Sequence, residues 1–166
     1  MENLLMKKDI QKCLEIYKEQ LNQGYIQTAY LTLIQYVGQL KSKFPKDYNT
    51  GNISFGYLDY TYFAFFNQYL RDQKLRFGIV LNHEKLQFEL WLMRQNADIQ
   101  RKYWKILQKT KWNYNQKIMP KYSIVEIVLE TNIDFENQES MTHHIIERSV
   151  SLASQIQEYL KQIHNE

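Results

Sequence analysis

Two apolar runs, residues 75–81 (LRFGIVL) and 86–92 (LQFELWL), are separated only by the polar link Asn82-His83-Glu84-Lys85. Runs this short, rich in branched and aromatic side chains, read as strands. A link of four residues closes an antiparallel β-hairpin, whereas a parallel pairing needs a crossover of a dozen residues or more. The period of two then sorts the second strand. Leu86, Phe88, Leu90 and Leu92 share one face, and Gln87, Glu89 and Trp91 share the other. A carboxylate beside a large aromatic on that second face is the first chemical feature of the chain.

Helical periodicity brackets this hairpin. Ile10, Cys13, Leu14, Tyr17 and Leu21 form an apolar stripe over about residues 8–22, and Gly24 supplies a C-terminal cap. Ile26, Ala29, Tyr30, Leu33, Val37 and Leu40 form a second stripe, ended by Pro45. The short connection predicts a helical hairpin, with Cys13 as a buried, inert thiol. Residues 46–56, with Asn49, Gly51, Asn52 and Gly56, read as a loop. Residues 58–66 alternate as a strand would, although a helix starting at Asp59 is the other reading. One or two helical turns follow over 67–74. Asn96 and Asp98 open a helix to about residue 109, 122–129 is a further strand, and 139–164 is a long closing helix. The order ααβββαβα predicts an α+β fold in one globular domain, residues 1–166. It consists of an N-terminal helical hairpin, a mainly antiparallel sheet of about four strands and two later helices.

Composition narrows the class. The chain has 166 residues, 14% of them aromatic, and residues 55–66 alone hold seven aromatics, which excludes a disordered chain. With one cysteine no intramolecular disulfide can form, and no apolar run approaches the length of a membrane span. The first residues, MENLLMKKDI, lack a secretory leader pattern. A cytoplasmic protein with no membrane partner is expected. The net charge of +3 is unevenly spread: residues 101–121 carry seven basic and no acidic groups, whereas 122–166 carry two basic and eight acidic ones.

With the segments laid out, the chain is similar to a bacterial family of uncharacterised proteins, domain of unknown function 7000. The residues that carry the resemblance are GYLDYTYF at 56–63, IVLNHEKLQFELWL at 79–92, NADIQRKYW at 96–104 and IYKEQLNQGYIQTAY at 16–30. It implies that Asp59, Glu84, Glu89, Trp91, Asn96 and Gln100 belong to the family pattern. It implies no activity.

The chemistry-bearing motifs are mostly absent. There is no phosphate-cradling glycine loop, no nucleophile elbow, and no histidine or cysteine pair at structural-zinc spacing. No cofactor, metal or catalytic residue is assigned. The leading reading is a non-catalytic binding or interaction module. Its small-molecule ligand would lie against Tyr57, Asp59, Tyr62, Glu89 and Trp91, an aromatic and carboxylate wall suited to a cationic or hydrogen-bonding compound. The alternative is a metal-dependent hydrolase or nuclease using Asp59 and Glu89. A third reading is single-stranded nucleic acid held by Arg101, Lys105, Lys109 and Trp112 within residues 101–121. The oligomeric state is left open.

Overall fold

The computed structural model describes residues 9–165. Residues 1–8, where the sequence shows no leader pattern, lie outside the described part. The chain divides into two compact units, residues up to Tyr36 and residues from Val37 onward.

The first unit holds α1 (Ile10–Gln23) and most of α2 (Tyr25–Ser42). Asp9 caps α1 by accepting from the backbone N–H groups of Gln11 and Lys12. Gly24 ends it in the left-handed conformation, the only residue between the two helices. The helices lie where the periodicity puts them, but the side chains of α1 do not become core. None is buried, and Ile10, Leu14 and Tyr17 are exposed. Cys13 is exposed with them, contrary to the expected buried thiol.

The second unit is built on a five-stranded antiparallel sheet in the order β1-β2-β3-β4-β5. Its strands are β1 (Asn49–Ser54), β2 (Tyr60–Phe66), β3 (Leu75–Asn82), β4 (Gln87–Arg94) and β5 (Val125–Glu130). The β3–β4 hairpin forms as its sequence requires, with Asn82 opposite Gln87 and Leu75 opposite Arg94. Residues 60–66 are a strand, not a helix. The fifth strand, β1, falls in the stretch read as a loop. NTGNIS carries no apolar alternation, and its pairing with β2 is irregular between Thr50 and Ile53. What holds it is the backbone ladder to β2, with Gly51 lying against Ala64.

Three helices complete the unit: the short α3 (Gln68–Asp72), α4 (Ala97–Leu107) and the long α5 (Gln138–His164). Phe63, Phe65, Phe77, Ile79, Leu81, Phe88, Leu90 and Leu92 alternate onto the inner face and are almost fully buried. Val37, Leu40 and Phe44, then Tyr103 and Leu107 of α4, then Met141, Ile145, Ile156 and Leu160 of α5 are buried as well. Phe65 gathers Phe44, Tyr48 and Phe77 around it at ring separations of 4.5, 5.1 and 5.6 Å. Each such ring taken from water contributes about 1.5–3 kcal/mol, which explains why the aromatic-rich β2 lies inside the sheet.

The turn before β2 is set by one glycine. Gly56 has φ +70°, and a Cβ there would clash with the Tyr60 carbonyl oxygen. Gly56→Ala should therefore cost roughly 2 kcal/mol or more, read as a fall in the urea midpoint. A midpoint within experimental error of wild type would show that the turn relaxes freely.

Candidate functional site

The hairpin register sends a second set of side chains to the outer face of the sheet. Val80 lies opposite Glu89, Gly78 opposite Trp91 and Arg76 opposite Met93. On β2, Tyr60, Tyr62 and Ala64 share this face. Ala64, Val80, Trp91 and Met93 pack into a buried patch with Tyr60 and Tyr62 against it. The rings of Tyr60 and Trp91 are 4.8 Å apart. Gly78 makes room for the Met93 side chain, whose terminal methyl would lie 2.5 Å from a Cβ there.

Glu89 fixes the indole. The Glu89 side chain is buried, and its Oε2 accepts from Trp91 Nε1 at 2.7 Å. Its Oε1 accepts from Gln87 Nε2 at 2.6 Å and Asn82 Nδ2 at 3.1 Å. Three N–H donors match the acceptor-only oxygens of a carboxylate, so a costly buried group is satisfied. Glu126 of β5 pairs across from Trp91 and accepts from Ser123 Oγ at 2.5 Å. Although much of the Glu126 side chain meets solvent, crowding around its carboxyl end raises its pKa, and the nearby Glu89 carboxylate adds to the rise.

Asp59 organises the loop at the edge of the patch. Its Oδ1 accepts from the backbone N–H groups of Tyr57 at 2.8 Å and Tyr60 at 2.7 Å, which lower its pKa. The Asp59 carbonyl accepts from His83 N at 3.0 Å, tying this loop to the β3–β4 turn. Thr61 Oγ1 donates to the Phe55 carbonyl at 2.8 Å and meets His83 Nε2 at 2.8 Å, which makes that ring nitrogen the donor.

Between these groups lies a cavity of about 320 Å³, lined by Asp59, Tyr60, Tyr62 and Trp91 together with Arg76 and Arg94. The structure thus gathers Asp59, Tyr62 and Trp91 of the expected set around one cavity. It leaves out two. Tyr57 is 96% exposed and turned away from the cavity lining, and Glu89 is occupied internally beneath Trp91. Sequence reasoning missed Arg76 and Arg94. Both follow from the hairpin once its register is known, because Arg76 interrupts an otherwise apolar strand two residues before Gly78, the residue opposite Trp91. Arg94 is positioned by Gln100, whose buried amide accepts from Arg94 Nε at 2.9 Å and donates to the carbonyls of Pro120 and Ser123.

The other two sequence readings meet a different geometry. Asp59 and Glu89 are each engaged by separate donors, on either side of β3. Among the described residues no three His, Cys, Asp or Glu side chains gather as a metal ion requires. In the basic segment Arg101 pairs with Asp98, while Lys105 and Lys109 are exposed. Trp112 packs edge-on against Tyr159 at 5.5 Å with its indole nitrogen buried, so its ring is not a free platform for a base.

A family model described as a domain of unknown function, DUF7000, matches residues 10–160. The chain belongs to the DUF7000 family. No curated protein and no solved structure matches it. The residues the sequence placed in the DUF7000 pattern now have positions. Asp59 braces a loop, Glu89 and Trp91 form one buried pair, Asn96 caps α4 through Ile99 N at 3.0 Å, and Gln100 aims Arg94. Glu84 is exposed in the β3–β4 turn. Among the described residues no helix of this DUF7000 chain is long and apolar enough to cross a membrane.

His83 gives the loop junction a pH dependence. Burial lowers its pKa, and the Asp59 carboxylate only partly offsets that. The folded state therefore favours the neutral ring, and this contribution to stability is present above about pH 6.5 and is lost as pH falls through the depressed folded value. Urea midpoints of wild type should decline more steeply between pH 7.5 and pH 5 than those of His83→Gln. Parallel declines would remove His83 from the pH response.

Proposed function

We propose that this protein is a non-catalytic binding module of the bacterial cytoplasm whose small-molecule ligand lies in the outer-face cavity. The observation that carries the proposal is the composition of that cavity. Tyr60, Tyr62 and Trp91 present aromatic surface, Arg76 and Arg94 line the same cavity, and among the described residues Asp59 is the only carboxylate in the lining. A volume of about 320 Å³ falls at the small end of ligand sites. Aromatic walls select a flat ring, and an excess of guanidinium groups selects a negative substituent on it. The carboxylate that would have favoured a cation, Glu89, has its oxygens taken by three donors. The ligand is therefore a planar anion rather than the cationic compound that the sequence pattern favours. A single free cysteine supports the cytoplasmic setting.

The dye 8-anilinonaphthalene-1-sulfonate is an aromatic anion whose flat naphthalene ring carries the sulfonate, and it serves as the probe. Native protein should bind it saturably at one site. Tyr62→Ala and Arg76→Glu should each weaken binding about tenfold, as expected for a lost stacking or charge-assisted contact. Tyr57→Ala, outside the cavity, should leave it unchanged. Absence of saturable binding, or equal affinity in all three variants, would contradict the proposal.

A further inference from the structure

A second cavity, of about 310 Å³, opens beside the first at the end of the β3–β4 hairpin, and the two share Arg76 and Arg94. Arg71 and Lys74 complete its lining of cations, while Phe66 and Leu75 supply apolar wall. No carboxylate lines it. Among the described residues none of the four cations meets an acidic side chain, whereas Arg101 and Lys161 on other surfaces do. Asp72, the next residue after Arg71, accepts instead from Gln68 Nε2 at 2.8 Å. Four like charges around one small volume repel one another, and among the described residues no ion pair offsets that repulsion.

The cations are also held in place. Arg71 stacks over the Phe66 ring at 5.4 Å. Arg94 is fixed through Nε by Gln100 and through Nη2 by the Lys121 carbonyl at 3.4 Å, which leaves the remaining N–H groups of its fork for another partner. Lys74 adopts φ 58°, a left-handed conformation unusual for a side-chain-bearing residue, at the point where α3 gives way to β3. Two bonds secure that turn: Tyr103 Oη donates to Gln73 Oε1 at 2.8 Å, and Gln95 N donates to the Lys74 carbonyl at 3.1 Å. Burial pushes the pKa of Tyr103 up to about 12, so its hydroxyl remains a donor.

We infer that Arg71, Lys74, Arg76 and Arg94 form a phosphoryl-binding subsite continuous with the outer-face cavity, and that the ligand is a ring-bearing phosphate ester. The inference rests on the reading of the outer-face cavity as a ligand site and names the chemistry of its anionic end. A phosphate monoester carries close to two charges and three acceptor oxygens near neutral pH, which suits several guanidinium forks better than a single carboxylate does. Arg76 and Arg94 lie where the two cavities meet, so the phosphate sits against the cations and the ring against Tyr62 and Trp91.

Calorimetric titrations of the full chain with inorganic phosphate and with phenyl phosphate, at matched ionic strength, test this. Both should bind saturably, phenyl phosphate more tightly by about tenfold through its ring. Arg71→Gln, which removes the charge without adding a carboxylate beside Arg76 and Arg94, should weaken both about tenfold and weaken anilinonaphthalene sulfonate binding less. Lys74→Gly provides a variant safe from misfolding, because glycine accepts the left-handed conformation. It should raise the melting temperature yet weaken phosphate binding several-fold. Failure of phosphate to bind, or undiminished phosphate affinity in both variants, overturns the subsite even if the dye still binds. Equal affinity for phosphate and phenyl phosphate overturns its continuity with the ring cavity. Loss of dye binding alone, with phosphate bound, overturns the outer-face reading and with it the ring-bearing ligand.

Discussion

The bond from Trp91 Nε1 to Glu89 Oε2 organises the outer face of the sheet. A buried carboxylate is tolerated only when its oxygens are filled, and Glu89 recruits Asn82, Gln87 and Trp91 to fill them. In doing so it joins both strands of the hairpin and its turn into one polar cluster, and it sets the orientation of the largest aromatic on that face. Tyr60 then leans on the indole, and Tyr62, Ala64, Val80 and Met93 close around it. A sheet face that faces solvent in many antiparallel folds here becomes a small second core with a cavity at its margin.

The charge of that margin is arranged by groups well away from it. Gln100 sits on α4, takes the carbonyls of Pro120 and Ser123 with its nitrogen, and offers its oxygen to Arg94. The helix, the loop before β5 and the end of β4 are thereby coupled through one amide. Asp59 does the same for the loop before β2, and His83 links that loop to the β3–β4 turn. Gln100 and Asp59, which resemble site residues in the sequence, thus brace the cavity margin, Gln100 by holding Arg94 and Asp59 by holding the loop before β2.

The hairpin, its facing pattern and the strand at 60–66 were legible in the sequence because a period of two leaves few alternatives once a short turn is recognised. The α+β order, the cap at Asn96 and the pairing of Glu89 with Trp91 on one face followed from the same logic. β1 was not legible, since NTGNIS has neither alternation nor branched runs, and its strand state comes from the ladder offered by β2. Neither was the exposure of Cys13, because helical periodicity reports which residues share a side and not whether that side is covered. The site was half legible. Composition pointed to the aromatics and carboxylates of the outer face, but Arg94 lies a whole hairpin beyond Arg71 and Arg76 in sequence and joins them only through register and the α3–β3 turn.

Glu89 holds Trp91 in place as a wall of the outer-face cavity. A double-mutant cycle with Glu89→Gln, Trp91→Phe and the combined variant measures that coupling directly from urea unfolding. Glutamine keeps the shape of Glu89 but turns a donor toward other donors, and phenylalanine removes the indole N–H while keeping an aromatic ring. The expected coupling is about 1.5 kcal/mol or more, as for a buried hydrogen bond to a charged group. Effects that add to within about 0.5 kcal/mol would contradict it.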